Sequence, residues 1–203
     1  MKILELFSGT ESFSKVARLR GHQTFTIDNN KQFNPDLCKD IMEVTPEDIL
    51  FKPDIIWASP PCTFFSVASI GKHWNKDNTP KTEQAELGVK IVNKTIELIK
   101  QLNPQFVIIE NPRGKLRKLN LIPFKRDTIT YCQYGDTRMK PTDIWHNINW
   151  KPKPMCKNGD SCHVAAPRGS KTGTQGLKGN MQRSVVPPEL CLEILKSCEG
   201  KHI

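Results

Sequence analysis

The stretch "ASPPCTFFS" places Cys62 directly behind Pro60 and Pro61, after the apolar run Ile55-Ile56-Trp57. A rigid turn with a thiol at its tip suits a nucleophile held against its target. A cysteine is also among the commonest small buried side chains, so the turn alone leaves both readings open. A second apolar run, Phe106 to Ile109, ends in Glu110-Asn111-Pro112, which supplies a carboxylate able to hold or move a proton. A third, Lys2 to Phe7, ends in Ser8-Gly9-Thr10, a glycine turn where backbone N–H groups can approach a ligand closely. Gln23 to Ile27 ends in Asp28-Asn29, and an acid there suits two ribose hydroxyls, as in dinucleotide-binding folds.

These residues need a frame, and periodicity supplies one. Short apolar runs at 2–7, 23–27, 54–58 and 106–109 read as strands. Between them, 11–19 reads as a helix with Phe13, Val16, Ala17 and Leu19 inward, and 82–102 as a long helix. Strands alternating with helices predict an α/β fold, with a mostly parallel sheet covered by helices on both faces. In such a sheet ligands bind beyond the carboxyl ends of the strands, so the glycine turn, both acids and the thiol fall on one rim. Past residue 120, segments 127–134 and 143–150 read as shorter, paired strands. Residues 151–183 form an irregular stretch with seven basic residues and one acid, and 188–197 reads as a closing helix.

Composition sets the partners. The 203 residues carry 30 Lys and Arg against 21 Asp and Glu, a formal net charge of +9, and the excess is clustered; both point to nucleic acid. No apolar run is long enough to span a membrane, and the N-terminus lacks the apolar core of a signal peptide. Seven scattered cysteines argue against a disulfide framework and for a reduced, cytoplasmic setting.

In order along the chain, "ELFSGTESF", "SPPCTFFS", "IIENP", "QYGDTRMKPTDIW" and "RSVVPPELCLEI" resemble the successive motifs of the cytosine-C5 DNA methyltransferases, notably the small bacteriophage type. The resemblance implies a single Rossmann-like S-adenosyl-methionine-dependent methyltransferase domain over 1–203. It implies S-adenosyl-methionine as cofactor, DNA as partner, and the cytoplasm of a bacterial host as setting. Cys62 is then the nucleophile that adds to C6 of a flipped cytosine, Glu110 the group on its N3 and N4 edge, and Arg138 a contact to its O2 edge or backbone. Phe7, Ser8, Gly9, Thr10, Asp28, Asn29, Asp40, Ile41 and Pro60 become the cofactor residues. Ser66, Arg113, Lys115, Lys171 and Lys178 become nucleic-acid contacts, and the loop 63–80 becomes a lid over the base.

The chain departs from the family pattern at several points. Glu11 stands where the family has a second glycine, and Pro112 where it has valine. Arg138 and Lys140 fill the arginine motif loosely. The recognition-like insert, 149–180, is short, which leaves open a partner that supplies specificity to an otherwise monomeric enzyme. The same scaffold could methylate RNA, or bind DNA without catalysis. No metal is assigned. Cys156, Cys162 and His163 give three candidate zinc ligands, with Cys132 and His146 as alternatives for a fourth.

Overall fold

A computed structural model describes residues 1–165 and 179–200. Its elements are β1 (Lys2–Leu6), α1 (Ser12–Leu19), β2 (Gln23–Asp28), β3 (Leu37–Cys38), β4 (Ile55–Ala58), α2 (Ile70–His73), α3 (Glu83–Leu102), β5 (Phe106–Pro112), β6 (Lys125–Thr130), β7 (Pro141–His146), α4 (Asn180–Ser184) and α5 (Pro188–Cys198). They build one seven-stranded sheet in the order β3-β2-β1-β4-β5-β7-β6. The first five strands in that order are parallel, and β7 runs antiparallel to both β5 and β6. The expected mostly parallel sheet is therefore present, closed at one end by an antiparallel pair.

Side chains alternate across the sheet, as the period of two requires. Leu4, Leu6, Ile56 and Val107 pack on one face with Val92, Ile96 and Ile99 of α3. Ile3, Trp57 and Ile108 pack on the other with Phe13 of α1 and Leu190 and Ile194 of α5. The Phe13 and Trp57 rings stack at 4.6 Å. Helix α3 starts where Thr82 Oγ1 accepts from Ala85 N, with Glu83 and Glu86 favouring its positive end. It stops at Asn103, which takes the left-handed conformation with φ 44°.

Helix α1 is capped from the sheet. Glu5, buried on β1, accepts from Phe13 N at 3.3 Å and Ser14 N at 2.8 Å. Burial pushes its carboxyl up to about 7. Helix α5 lies against α1, and the two are tied by Glu199, which pairs with Arg20 and His22.

Several boundaries differ from the sequence reading. Strand β5 continues through Glu110, Asn111 and Pro112, because these pair with Ile144, Asp143 and Thr142 of β7. Strand β6 ends at Thr130, and residues 131–134 form a tight turn. Strand β7 begins two residues earlier than expected and ends at His146. Leu19 is 88% exposed, since the buried face of α1 is Phe13, Ser14 and Ala17, and a residue two past Ala17 points to the opposite side of the helix. Among the described residues no helix is long and apolar enough to cross a membrane.

Candidate active site

Parallel pairing of β4 with β5 sets Ala58 beside Ile109, so both chains leave the sheet together on the same rim. The turn after β4 carries Pro60-Pro61-Cys62, and the next residues of β5 are Glu110 and Asn111. Asn111 Nδ2 donates to the Pro60 carbonyl at 2.8 Å, which ties the proline turn to the strand that carries the carboxylate. The Cys62 carbonyl in turn accepts from Phe65 N and Ser66 N. The thiol therefore stands on a turn fixed from both sides.

Cys62 is half-buried and Glu110 is 5% exposed. Burial first, and then the negative charge of Glu110, hold the Cys62 thiol above its ordinary range, while Lys140 and Arg183 pull it down. Tyr131 Oη donates to Glu110 Oε1 at 2.9 Å, and Lys140 Nζ lies 4.0 Å from the same oxygen. Lys140 Nζ also sits 4.4 Å from the centre of the Tyr131 ring. Burial lowers the Lys140 ammonium, against the opposing pull of Glu110. Burial and the Glu110 charge raise the Tyr131 phenol well above its usual range, so it serves as a donor. The backbone at Lys140 has φ 26°, an uncommon value for a side-chain-bearing residue and one that recurs at functional sites.

The structure thus brings Lys140 and Tyr131, rather than Arg138, to the thiol and carboxylate. Arg138 is 6% exposed and its guanidinium is already occupied. It pairs with Asp136 and donates to the carbonyls of Gln182, Arg183 and Val185, clamping the β6–β7 connection onto α4 and the short link that leads to α5. An arginine motif read by sequence position cannot show which of its cations faces inward. Tyr131 gave no signal in the sequence, because it reads as one more apolar strand residue.

A second part of the rim forms a cleft of about 220 Å³ lined by Phe7, Asp28, Asn29, Asp40 and Ile41, together with Pro61 and Ile91. Five of the nine sequence-assigned cofactor residues therefore meet in one place. Asp28 accepts from Gly9 N at 2.9 Å and Asn30 N at 2.8 Å, which fixes its carboxylate against the glycine turn. Ser8 Oγ is buried with no hydrogen-bond partner among the described residues, the condition of a group that a ligand can satisfy. Thr10 Oγ1 pairs with Ser12 Oγ, and Pro60 is buried behind the turn. In the glycine turn itself the Ser8 N–H goes to the Ile27 carbonyl and that of Gly9 to Asp28, and the start of α1 is likewise engaged. Glu5 takes the N–H groups of Phe13 and Ser14, and the Ser8 carbonyl takes that of Glu11.

Glu11 adopts the left-handed conformation, with φ 54° and ψ 42°. That explains why a glycine is the easier residue there. Its side chain is held by Arg18 and by Thr26.

The expected nucleic-acid contacts divide. Arg113 is exposed near the site. Lys115 is 4% exposed, donates to Asn78 Oδ1 at 2.8 Å and lies over the Trp74 ring, so it holds the loop after Cys62 instead of facing solvent. Ser66 is half-buried and pairs with Ser69, while its backbone bridges to Gly114. The loop 63–80 is packed down by Phe65 and Trp74, both in the core. Lys171 and Lys178 lie outside the described residues.

The model of the C-5 cytosine-specific DNA methylase family matches residues 1–121, more than half of the chain. A protein of Frog virus 3 (isolate Goorha), named a "Probable DNA (cytosine-5)-methyltransferase", is 29% identical over 98% of this chain and 100% of its own length. Among solved structures, the Entamoeba histolytica methyltransferase EhMeth superposes with a TM-score of 0.54 at 13% identity, over 75% of this chain and 55% of that one. A protein described as a DNA modification methyltransferase encoded within an E. coli prophage gives a TM-score of 0.51 at 16% identity, over 72% of this chain and 46% of that one. The chain spans about half the length of these two solved proteins, and the likeness to them shows the fold. By the match over its first 121 residues, the chain belongs to the C-5 cytosine-specific DNA methylase family.

Proposed function

We infer that the protein transfers a methyl group from S-adenosyl-methionine to C5 of cytosine in DNA, through a bond between Cys62 Sγ and C6 of a base taken out of the stack. The observation that carries this is the meeting of Cys62 and Glu110 at the ends of adjacent strands, with Tyr131 and Lys140 around them. S-adenosyl-methionine fits the neighbouring cleft by its donor set. Asp28 would hold the ribose hydroxyls, Asp40 and Ile41 the adenine, and Phe7 to Thr10 the rest of the ligand. When bound it supplies an electrophilic methyl group.

Cytosine C5 is too weak a nucleophile to accept that group unaided. Addition of the Cys62 thiolate to C6 pushes the C5–C6 π electrons through C4 to N3 and leaves C5 an enamine carbon. Glu110, protonated, gives its proton to N3, so no charge accumulates on the ring. Tyr131 occupies Oε1, which leaves Oε2 for the base edge. After C5 gains the methyl group, loss of H5 to a base or water re-forms the double bond and expels Sγ. The N3 proton returns to Glu110. Lys140 favours the thiolate.

The domain reading extends this: 1–203 acts as one catalytic unit, with 149–180 as a short recognition element and DNA as partner. DNA containing 5-fluorocytosine, whose C5 fluorine cannot leave as a proton does, should trap the Cys62–C6 bond. With cofactor present, a denaturation-resistant adduct is expected for the parent and not for Cys62→Ser. An adduct with RNA alone would move the substrate class, and no adduct at all would overturn the reading.

A further inference from the structure

Away from the cleft, four side chains that the methyl-transfer chemistry does not use come together. Cys132 lies in the turn after β6; Cys156, Cys162 and His163 lie in the loop that follows β7. One donor atom from each falls within 4.8 Å of every other. Cys132 Sγ is 3.0 Å from Cys156 Sγ and 3.6 Å from Cys162 Sγ. His163 Nδ1 is 3.7 Å from Cys156 Sγ and 3.5 Å from Cys162 Sγ. His146, the other sequence candidate for a fourth donor, is turned away, with its Nε2 on Asp127 at 2.9 Å.

We propose that Cys132, Cys156, Cys162 and His163 form a structural zinc site that fastens the start of the recognition-like segment to the catalytic domain. Tetrahedral zinc with Zn–S of about 2.3 Å and Zn–N of about 2.0–2.1 Å requires donor separations of about 3.8 Å between sulfurs and about 3.6 Å between sulfur and nitrogen. Three of the four quoted separations fall at those values, and the shorter Cys132–Cys156 contact opens with a small side-chain rotation. Three thiolates and an imidazole are a soft set that selects zinc over magnesium or calcium. Four protein donors close the coordination shell, which makes the site structural and not catalytic.

The surroundings give the metal a task. Residues 147–165 contain no helix or strand; Ile148 and Trp150 still pack into the core, but from 154 to 165 Cys156 is the one buried residue. Residues 147–153 are well tied, by Asn147 to Gln105 and Val107, Trp150 to Glu193, and Lys153 to Gln133 and Tyr134. Beyond Lys153 the ties to the body thin to bonds such as Cys156 N to Thr130 Oγ1, Val164 N to the Thr137 carbonyl and Gln133 Nε2 to Cys162 Sγ. A segment with so little core gains order from a metal. The zinc would also brace the active site, because Cys132 adjoins Tyr131, whose hydroxyl bonds to Glu110.

The test reads metal and does not depend on the methyltransferase reading. The full chain, purified under reducing conditions with zinc present and then desalted, should retain about one zinc per molecule by mass spectrometry of the elements. Cobalt(II) in its place should give the intense visible bands of tetrahedral coordination and a thiolate-to-cobalt charge-transfer band. Cys162→Ser changes an exposed residue, so the variant should fold, and it should weaken zinc binding by on the order of 100-fold in chelator competition. His163→Gln should do the same and alter the cobalt bands. Iron in place of zinc, substoichiometric metal with no tetrahedral cobalt spectrum, or a Cys132–Cys156 disulfide in the reduced preparation would each overturn the proposal. So would a Cys162→Ser variant with parental zinc affinity.

Discussion

Cys62 sits between one negative group and two positive ones, so its reactivity should move in opposite directions when either sign is removed. In the free protein the thiol titrates above its ordinary range, and its alkylation by iodoacetamide should still be rising at alkaline pH. Glu110→Gln deletes the charge that opposes ionisation and should bring the midpoint of the rate profile down. Lys140→Met deletes a charge that favours it and should push the midpoint up. A profile that ignores both changes would detach Cys62 from this pair. At this scale, sequence pattern reached as far as the ends of apolar runs. Cys62, Glu110 and Asp28 each stand just past the end of an apolar run, which is why they could be picked out. Tyr131 could not, and Lys140 was reached only as one of two cations filling a loose arginine motif, because only the pairing of β6 with β7 turns them toward Glu110. Lys115 was misplaced for a related reason: a lysine in a basic run reads as solvated until a tryptophan and an asparagine are found against it.

Strand β5 and the loop after Cys62 meet at a point that tolerates no side chain. A Cβ on Gly114 would stand 2.2 Å from the Phe65 carbonyl oxygen, which also accepts from Lys115 N at 2.7 Å. Both partners are backbone, so neither can swing aside. Gly114→Ala should therefore destabilise the fold by about 2 kcal/mol or more, read as a lower midpoint of urea unfolding. It should cost methyl transfer more than cofactor affinity, because the displaced segment leads back to Cys62 and not to Asp28. Calorimetry with S-adenosyl-methionine separates the two effects. Four of the parallel strands were legible as apolar runs set off by α1 and α3, whereas the two-residue β3 is too short to show a period. The antiparallel end was less legible. Strand β6 begins with the charged Lys125-Arg126-Asp127, residues that blunt an edge strand against aggregation but hide its period.

Charge belongs to the whole molecule. A net +9 on 203 residues predicts DNA affinity that falls steeply with salt, since each phosphate contact releases counterions. Of the basic run after β5, Arg113, Lys118, Lys125 and Arg126 are exposed, while Lys115 and Arg117 serve the fold. Replacing Lys171 and Lys178 together by Ala should weaken binding to all sequences about equally. It should also reduce the slope of log affinity against log salt by up to about 1.8, at roughly 0.9 per phosphate contact. Fluorescence anisotropy over a salt series measures both. Selective loss for one sequence, with an unchanged slope, would assign the two lysines to base contacts instead.

Helix α5 completes one face of the sheet, yet it is made long after the strands it covers; Glu199 and Arg20, which join it to α1, are 179 residues apart. Contacts of such sequence separation form late and slowly. While the chain emerges from the ribosome, Ile3, Trp57 and Ile108 therefore wait on a face that α1 covers only in part, vulnerable to association with other nascent chains. The yield of native protein in a cell should depend on chaperone supply and translation speed more than on the stability of the finished fold.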